Sequence, residues 1–244
     1  MHFDYEELKT LYQKIITLGE TKTFSETNKK NSFFIRHDID FDMDKALVIA
    51  IIENKIGVKS TFFIMVTCEY YNVLSPNNKK IINQIKFLGH EIGIHFDPSI
   101  CDDYENEFVH EVSILEKIIG EKITSVSLHN PSAHGIYPFF KNFNNSYFKP
   151  FYIEEFYISD SCFDFRGKDI FSFVEKIKEN SIQVLIHPIH FSVNGGKEYT
   201  PILNEMIKNR TEKMINHLKG NKSFNDEILS GYFVNEQIIN LKNV

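Results

Sequence analysis

Two carboxylates one residue apart, Asp38 and Asp40, close the apolar run Phe33-Phe34-Ile35-Arg36-His37-Asp38-Ile39-Asp40. A run of this length bounded by polar residues suits a buried strand. Alternation along a strand sends Asp38 and Asp40 to one face and Ile39 to the other, and Arg36 shares the acids' face. Adjacent carboxylates repel one another unless a cation or a shared proton intervenes. The pair therefore asks for a metal or for acid/base chemistry. The competing reading is that the acids only cap the following helix, since Asp is a favoured N-cap residue.

The elements that must position this pair follow from periodicity. Leu8, Leu11, Tyr12, Ile15 and Ile16 predict an amphipathic helix over 4–18, and 22–31 reads as a loop. After the strand at 33–38 comes a helix over 42–54, then a β-branched and aromatic strand at 60–66. Ser75-Pro76 opens a helix that Gly89 stops. A short strand at 91–95, a helix from Asp102/Asp103 to Ile119 and a strand at 124–128 follow. Residues 131–168 carry a Pro-, Asn- and aromatic-rich loop and a strand at 156–159. Asp169 caps a helix over 170–179, 182–186 is a strand, and 201–219 is helical with a less regular tail. Strands alternating with helices predict a mostly parallel sheet with helices outside. A barrel and an open doubly wound sheet both satisfy that order. No glycine-rich phosphate loop follows the first strand, which counts against nucleotide binding.

Set on this frame, Asp38, Asp40, His95, His129, Asp160 and His187 all stand at strand C-termini. In β/α barrels that rim is where active sites are built. Asp and His are metal ligands and acid/base groups. With 10 histidines in 244 residues, such an alignment would rarely arise by chance, so an enzyme is expected.

The bulk properties narrow the class. The formal charge of −6, without a basic run interleaved with aromatics, argues against nucleic-acid binding. The start, Met1 to Glu7, lacks a charged and then apolar leader, so no secretion signal is expected. No apolar run reaches the roughly 18 residues of a membrane span, so no transmembrane segment is expected. Cys68, Cys101 and Cys162 show no metal or disulfide spacing and fit reduced thiols of a cytoplasmic protein. A single domain over 1–244 is expected, its motif-bearing core at about 33–190, with the terminal helical segments 4–18 and 201–244 packed on it.

Four segments together resemble a family, the polysaccharide deacetylases of the NodB-homology, carbohydrate esterase family 4 type. They are Arg36-His37-Asp38-Ile39-Asp40, Ser60-Thr61-Phe62-Phe63-Ile64, Gly89-His90-Glu91-Ile92-Gly93-Ile94-His95 and Leu185-Ile186-His187-Pro188. The resemblance implies a distorted (β/α) barrel of about seven mostly parallel strands with outer helices. It implies one divalent metal ion, zinc in particular, and hydrolysis of an N-acyl or O-acyl group from a sugar. Carried over, Asp38 is the general base, Asp40 and His95 hold the metal, and His187 protonates the leaving amine, oriented by Asp160. An imidazole suits that task because it titrates near neutral pH.

The chain departs from the family in two places. The two acids are split by Ile39, where the family has them adjacent. Ser99 stands where the family has its second metal-binding histidine. A catalytic zinc ion keeps three protein ligands, and the candidates for the third are His129, Asp97 and His90, in that order of preference. His90 is placed last because five residues before His95 puts it on the opposite strand face. Arg36, Asp97, Asn130, Asp160 and His190 are expected to touch substrate or to support the ligands. The expected substrate is an acylated sugar, a nucleotide-sugar or a lipid-linked glycan used in surface-glycan synthesis. Two alternatives stay open: an inactive sugar-binding or scaffold relative, and a hydrolase of non-sugar C–N bonds.

Overall fold

The structure, a computed structural model, describes residues 1–26 and 31–229. The tail expected beyond 229 and part of the loop at 22–31 lie outside the described residues. Contacts group the chain into two compact units, Met1–Lys197 and Glu198 onward. The second carries α7 (Tyr199–Leu218) and α8 (Lys222–Leu229). No helix among the described residues is long and apolar enough to cross a membrane.

The first unit runs α1 (Tyr5–Leu18), β1 (Glu20–Lys22), β2 (Ser32–Ile39), α2 (Met43–Ile56), β3 (Thr61–Ile64), α3 (Pro76–Phe87), β4 (Glu91–Phe96) and α4 (Tyr104–Ile119). It continues with β5 (Ser125–Leu128), α5 (Pro131–His134), β6 (Asn144–Asn145), β7 (Tyr157–Ser159), α6 (Ile170–Phe173) and β8 (Ile182–Ile186). Helix starts follow local chemistry: Asp4, Asp42, Ser75, Asp103 and Asp169 each accept a backbone N–H of the first turn. Gly57 and Gly120 end α2 and α4 in the left-handed conformation that a Cβ disfavours.

Among the described residues all strand pairs are parallel, in the order β6-β5-β4-β3-β2-β8-β7, with β1 beside the N-terminal half of β2. The order places β6 and β7 at the two edges, so the sheet is a curled, open barrel with helices around it, a distorted (β/α) barrel. Its floor is a cluster of Phe24, Phe34, Phe63 and Phe151. Gln183 of β8 donates to the carbonyls of Ser146 and Phe151, which ties the segment between β6 and β7 to the sheet.

Three elements differ from the periodicity reading. β1 and β6 are strands of three and two residues in polar sequence, too short to carry an alternation signal. The helix expected over 170–179 is one α-turn, α6, followed by a 3₁₀ stretch from Val174 to Lys178.

Candidate active site at the barrel rim

Alternation on five strands builds the site. On β2, Arg36 and Asp38 point inward; on β4 and β5, His95 and Ser127 are register partners. Asp40 follows β2, where Tyr71 Oη donates to the Ile39 carbonyl (2.6 Å) and the Cys68 thiol to that of Asp40 (3.1 Å). These bonds fix the turn that carries the Asp40 side chain. His129 follows β5, its N–H bonded to the Phe96 carbonyl at 2.8 Å. His187 follows β8, its N–H bonded to Asp160 Oδ2 at 2.9 Å.

Asp40, His95 and His129 meet at one point. Asp40 Oδ1 lies 3.0 Å from His95 Nε2 and 3.3 Å from His129 Nδ1. The two ring nitrogens are 3.1 Å apart. Asp40 Oδ1 is buried, yet no donor reaches it at a hydrogen-bonding angle. An orphaned, buried carboxylate oxygen facing two imidazole nitrogens is a donor set that could hold a divalent cation. Side chains behind it hold the two rings. His95 Nδ1 contacts Ser127 Oγ at 3.1 Å, which leaves Nε2 for a cation. His129 Nε2 is 2.9 Å from Asn130 Nδ2, which donates to it and holds the ring in place.

Asp38 sits beside this group but is committed elsewhere. Arg36 Nε and Nη2 grip its two oxygens at 2.8 and 2.6 Å, and Ser127 Oγ lies 3.2 and 3.3 Å from them. Burial opposes the charge on Asp38, and the Arg36 guanidinium overrides it, so its pKa stays below the ordinary range. Arg36 is itself fully buried, bonded to Gln183 and Tyr147 and stacked over the Tyr147 ring at 4.6 Å.

Across the cavity, Asp160 is buried and serves two histidines: His187 Nδ1 at 2.5 Å and His190 Nδ1 at 3.0 Å. Burial disfavours a charged His187, but Asp160 prevails and raises its pKa to about 9. Its Nε2 is thereby turned to the cavity, 3.8 Å from Asp40 Oδ2. His190 packs behind Asp160 against Phe3 and Phe163.

The structure thus brings Arg36, Asp38, Asp40, His95, His129, Asn130, Asp160 and His187 to one cavity or its immediate support. Asp97 lies outside the cation-ready group: it accepts from Ser99 N and Oγ at 2.9 and 2.6 Å. His90 is buried away from the rim, between Ser60 Oγ and the Ala50 carbonyl. The sequence reading passed over Ser127, although Ser125, Ser127 and His129 alternate on one face. The aromatic residues of 131–165 read from the sequence either as a sugar-stacking surface or as core, and four of the tyrosines form the cavity wall. The cavity holds about 490 Å³ and is lined by Tyr137, Tyr147, Tyr152, Tyr157 and Arg166 besides the acids and histidines. A second cavity, about 400 Å³, opens near the N-terminal ends of β3 and β4, and its Lys59 and Lys86 are paired with Glu26 and Glu121.

No family model matches this sequence, and no curated protein matches it. Solved structures do. The similar structures are CE4 family proteins. One is a CE4 family pseudoenzyme from Bacillus anthracis, 14% identical, with a TM-score of 0.45 over 77% of this chain and 63% of that one. A mutant of it with restored enzymatic activity is 15% identical, with a TM-score of 0.45 over 77% and 65%. A mutant of the peptidoglycan deacetylase PdaC from Bacillus subtilis is 13% identical, with a TM-score of 0.42 over 76% and 95%. The chain spans just under two thirds of the length of the first two. This is the family whose motifs the sequence resembles.

Proposed function

We propose that the rim site holds one divalent metal ion, zinc in particular, through Asp40, His95 and His129, and that it removes an acyl group, N-acetyl in particular, from a sugar. The observation that carries this reading is the orphaned Asp40 Oδ1 facing two imidazole nitrogens at 3.0 and 3.3 Å. When bound, such an ion would lower the pKa of a water towards about 7 and polarise the acyl oxygen.

The chain's own groups divide the remaining work. Asp38, kept ionised by Arg36, accepts the proton of the attacking water. His187, kept protonated by Asp160, donates from Nε2 to the leaving nitrogen. Asp160 holds His187 in the tautomer and orientation that the donation needs, and His190 holds Asp160. The tyrosine wall offers ring faces to the sugar and excludes water from it.

The test is metal analysis of protein purified without chelator, joined to acetate release from N-acetylated sugars. About one ion per chain is expected, with release abolished by chelator. Asp40→Ala loses both the ion and the activity, and His129→Ala lowers metal affinity by at least about 10-fold. Full activity in chelated protein would sink the proposal. A stoichiometric ion with no release from any acylated sugar would replace it with a binding role.

A further inference from the structure

Arg166 lines the same cavity and has nothing there to neutralise. The chain has three arginines, Arg36, Arg166 and Arg210; Arg166 lines this cavity and Arg36 lies buried behind it on Asp38. They are in opposite situations. The Arg36 guanidinium is used up by Asp38, Gln183 and Tyr147. Arg166 is exposed, lies over the Tyr157 ring at 5.5 Å, and has no carboxylate within ion-pairing distance among the described residues. The other acids of the site have groups of their own: Asp38 pairs with Arg36, Asp160 with His187 and His190, and Asp40 faces the two imidazoles of the proposed metal site.

The backbone goes to some length to put Arg166 there. Between β7 and α6, Cys162 (φ 58°), Phe163 (φ 55°) and Arg166 (φ 56°) all adopt the left-handed conformation, which costs energy for residues with a Cβ. Strain of this kind persists only where the surroundings over-determine it. Here Phe163 and Phe165 are buried on Phe3, edge-on at 5.3 Å and stacked at 5.6 Å. The anchored aromatics flank Arg166 in sequence and leave its side chain at the cavity. A solvated surface arginine needs neither the strain nor the anchors.

We propose that Arg166 is a specificity-determining residue that takes an anionic group of the substrate, a carboxylate or a phosphate, while the sugar lies along the tyrosine wall. A guanidinium presents a planar fork matched to both oxyanions, and stacking on Tyr157 orients it before binding. The substrate class is then an acylated sugar that also carries a negative charge, either a sugar acid or a phosphate-linked sugar. The inference rests on the deacylation reading of the rim.

The experiment compares acetate release from N-acetylglucosamine, N-acetylglucosaminuronic acid and N-acetylglucosamine-1-phosphate by the metal-replete wild type, Arg166→Gln and Arg166→Lys. Wild type is expected to prefer one charged sugar over the neutral one. In Arg166→Gln the charged-to-neutral ratio of kcat/KM falls by about 10- to 100-fold, mainly through KM. The favoured sugar identifies the source of the anion: the uronic acid for a carboxylate, the 1-phosphate for a phosphate. Arg166→Lys recovers part of the ratio for phosphate and less for carboxylate, whose recognition depends more on the fork. Calorimetric binding of the same three sugars separates the two claims. If no sugar is deacetylated, yet a charged sugar binds and Arg166→Gln weakens it at least 10-fold relative to the neutral one, the deacylase reading fails and the anion site stands. An unchanged charged-to-neutral ratio in both turnover and binding overturns the proposal.

Discussion

At the scale of single residues, the most exposed liability is one the site does not use. Glu111 of α4 is buried, and neither carboxylate oxygen has a hydrogen-bond partner. Burial, with Glu107 and Asp97 nearby, raises its pKa to about 8, above the roughly 4.3 of a free side chain. Between those two pH values the folded state holds a proton that the unfolded state releases, so stability falls as pH rises through that window. Glu111→Gln replaces the protonated form with a neutral isostere. Its urea midpoint should match wild type near pH 4.5 and exceed it at pH 8.5, by more than about 1 kcal/mol in free energy. A difference that does not change with pH would show that Glu111 is not the group that titrates. The acids and histidines at strand ends were visible in the sequence for a different reason: each stands at the end of a strand-like run. Ser127, Gln183 and Tyr147 were not visible. Their roles depend on which strand or loop faces Arg36 and Asp38, and one-dimensional spacing does not encode that.

At the scale of elements, β4 illustrates how a strand is shaped for its neighbour. Gly93 lies two residues before His95, on the same inward face. A Cβ there would stand 2.5 and 2.6 Å from Phe63 ring carbons and 3.1 Å from the Ser125 carbonyl. Phe63 fills that space, packs with Phe24 and underlies Arg36 at 6.0 Å. Gly93→Ala should therefore destabilise by about 1–3 kcal/mol, the usual range for overpacking. Adding Phe63→Leu should recover part of the loss in a double-mutant cycle. Strictly additive losses would mean that the two side chains do not compete for the space. The long elements were legible because they repeat a pattern: β2 and β8 as bounded apolar runs, and α1 to α4 by period and caps. β1, β6 and the stretch around 131–156 gave no such pattern. β1 and β6 are pinned by their neighbours' backbones, and that stretch by Gln183 and the phenylalanine floor, rather than by any periodicity of their own.

At the scale of the barrel, one buried polar network joins strands to their covering helix beneath the site. His37 of β2 contacts Glu53 Oε1 at 2.8 Å and the Ile186 carbonyl at 3.1 Å. Ser60, just before β3, donates to Glu53 Oε2 at 2.6 Å and contacts His90 Nδ1 at 2.9 Å. His90, just before β4, closes the network on the Ala50 carbonyl of α2 at 3.0 Å. Burial works against the charge on Glu53, and His37 outweighs it, so its carboxyl stays below the ordinary range. Glu53→Ala would leave His37, Ser60 and His90 buried without their common acceptor. Breaking a buried pair from one side costs about 3–5 kcal/mol, and a loss of that size is expected in urea unfolding. If the network aligns the strands, the loss should reach the rim as well, because His37 and Asp38 are consecutive on β2. Metal affinity at the proposed Asp40, His95 and His129 site should then weaken under conditions where Glu53→Ala is still fully folded. A loss below about 1 kcal/mol, or an unchanged affinity in the folded variant, would reduce the network to local packing.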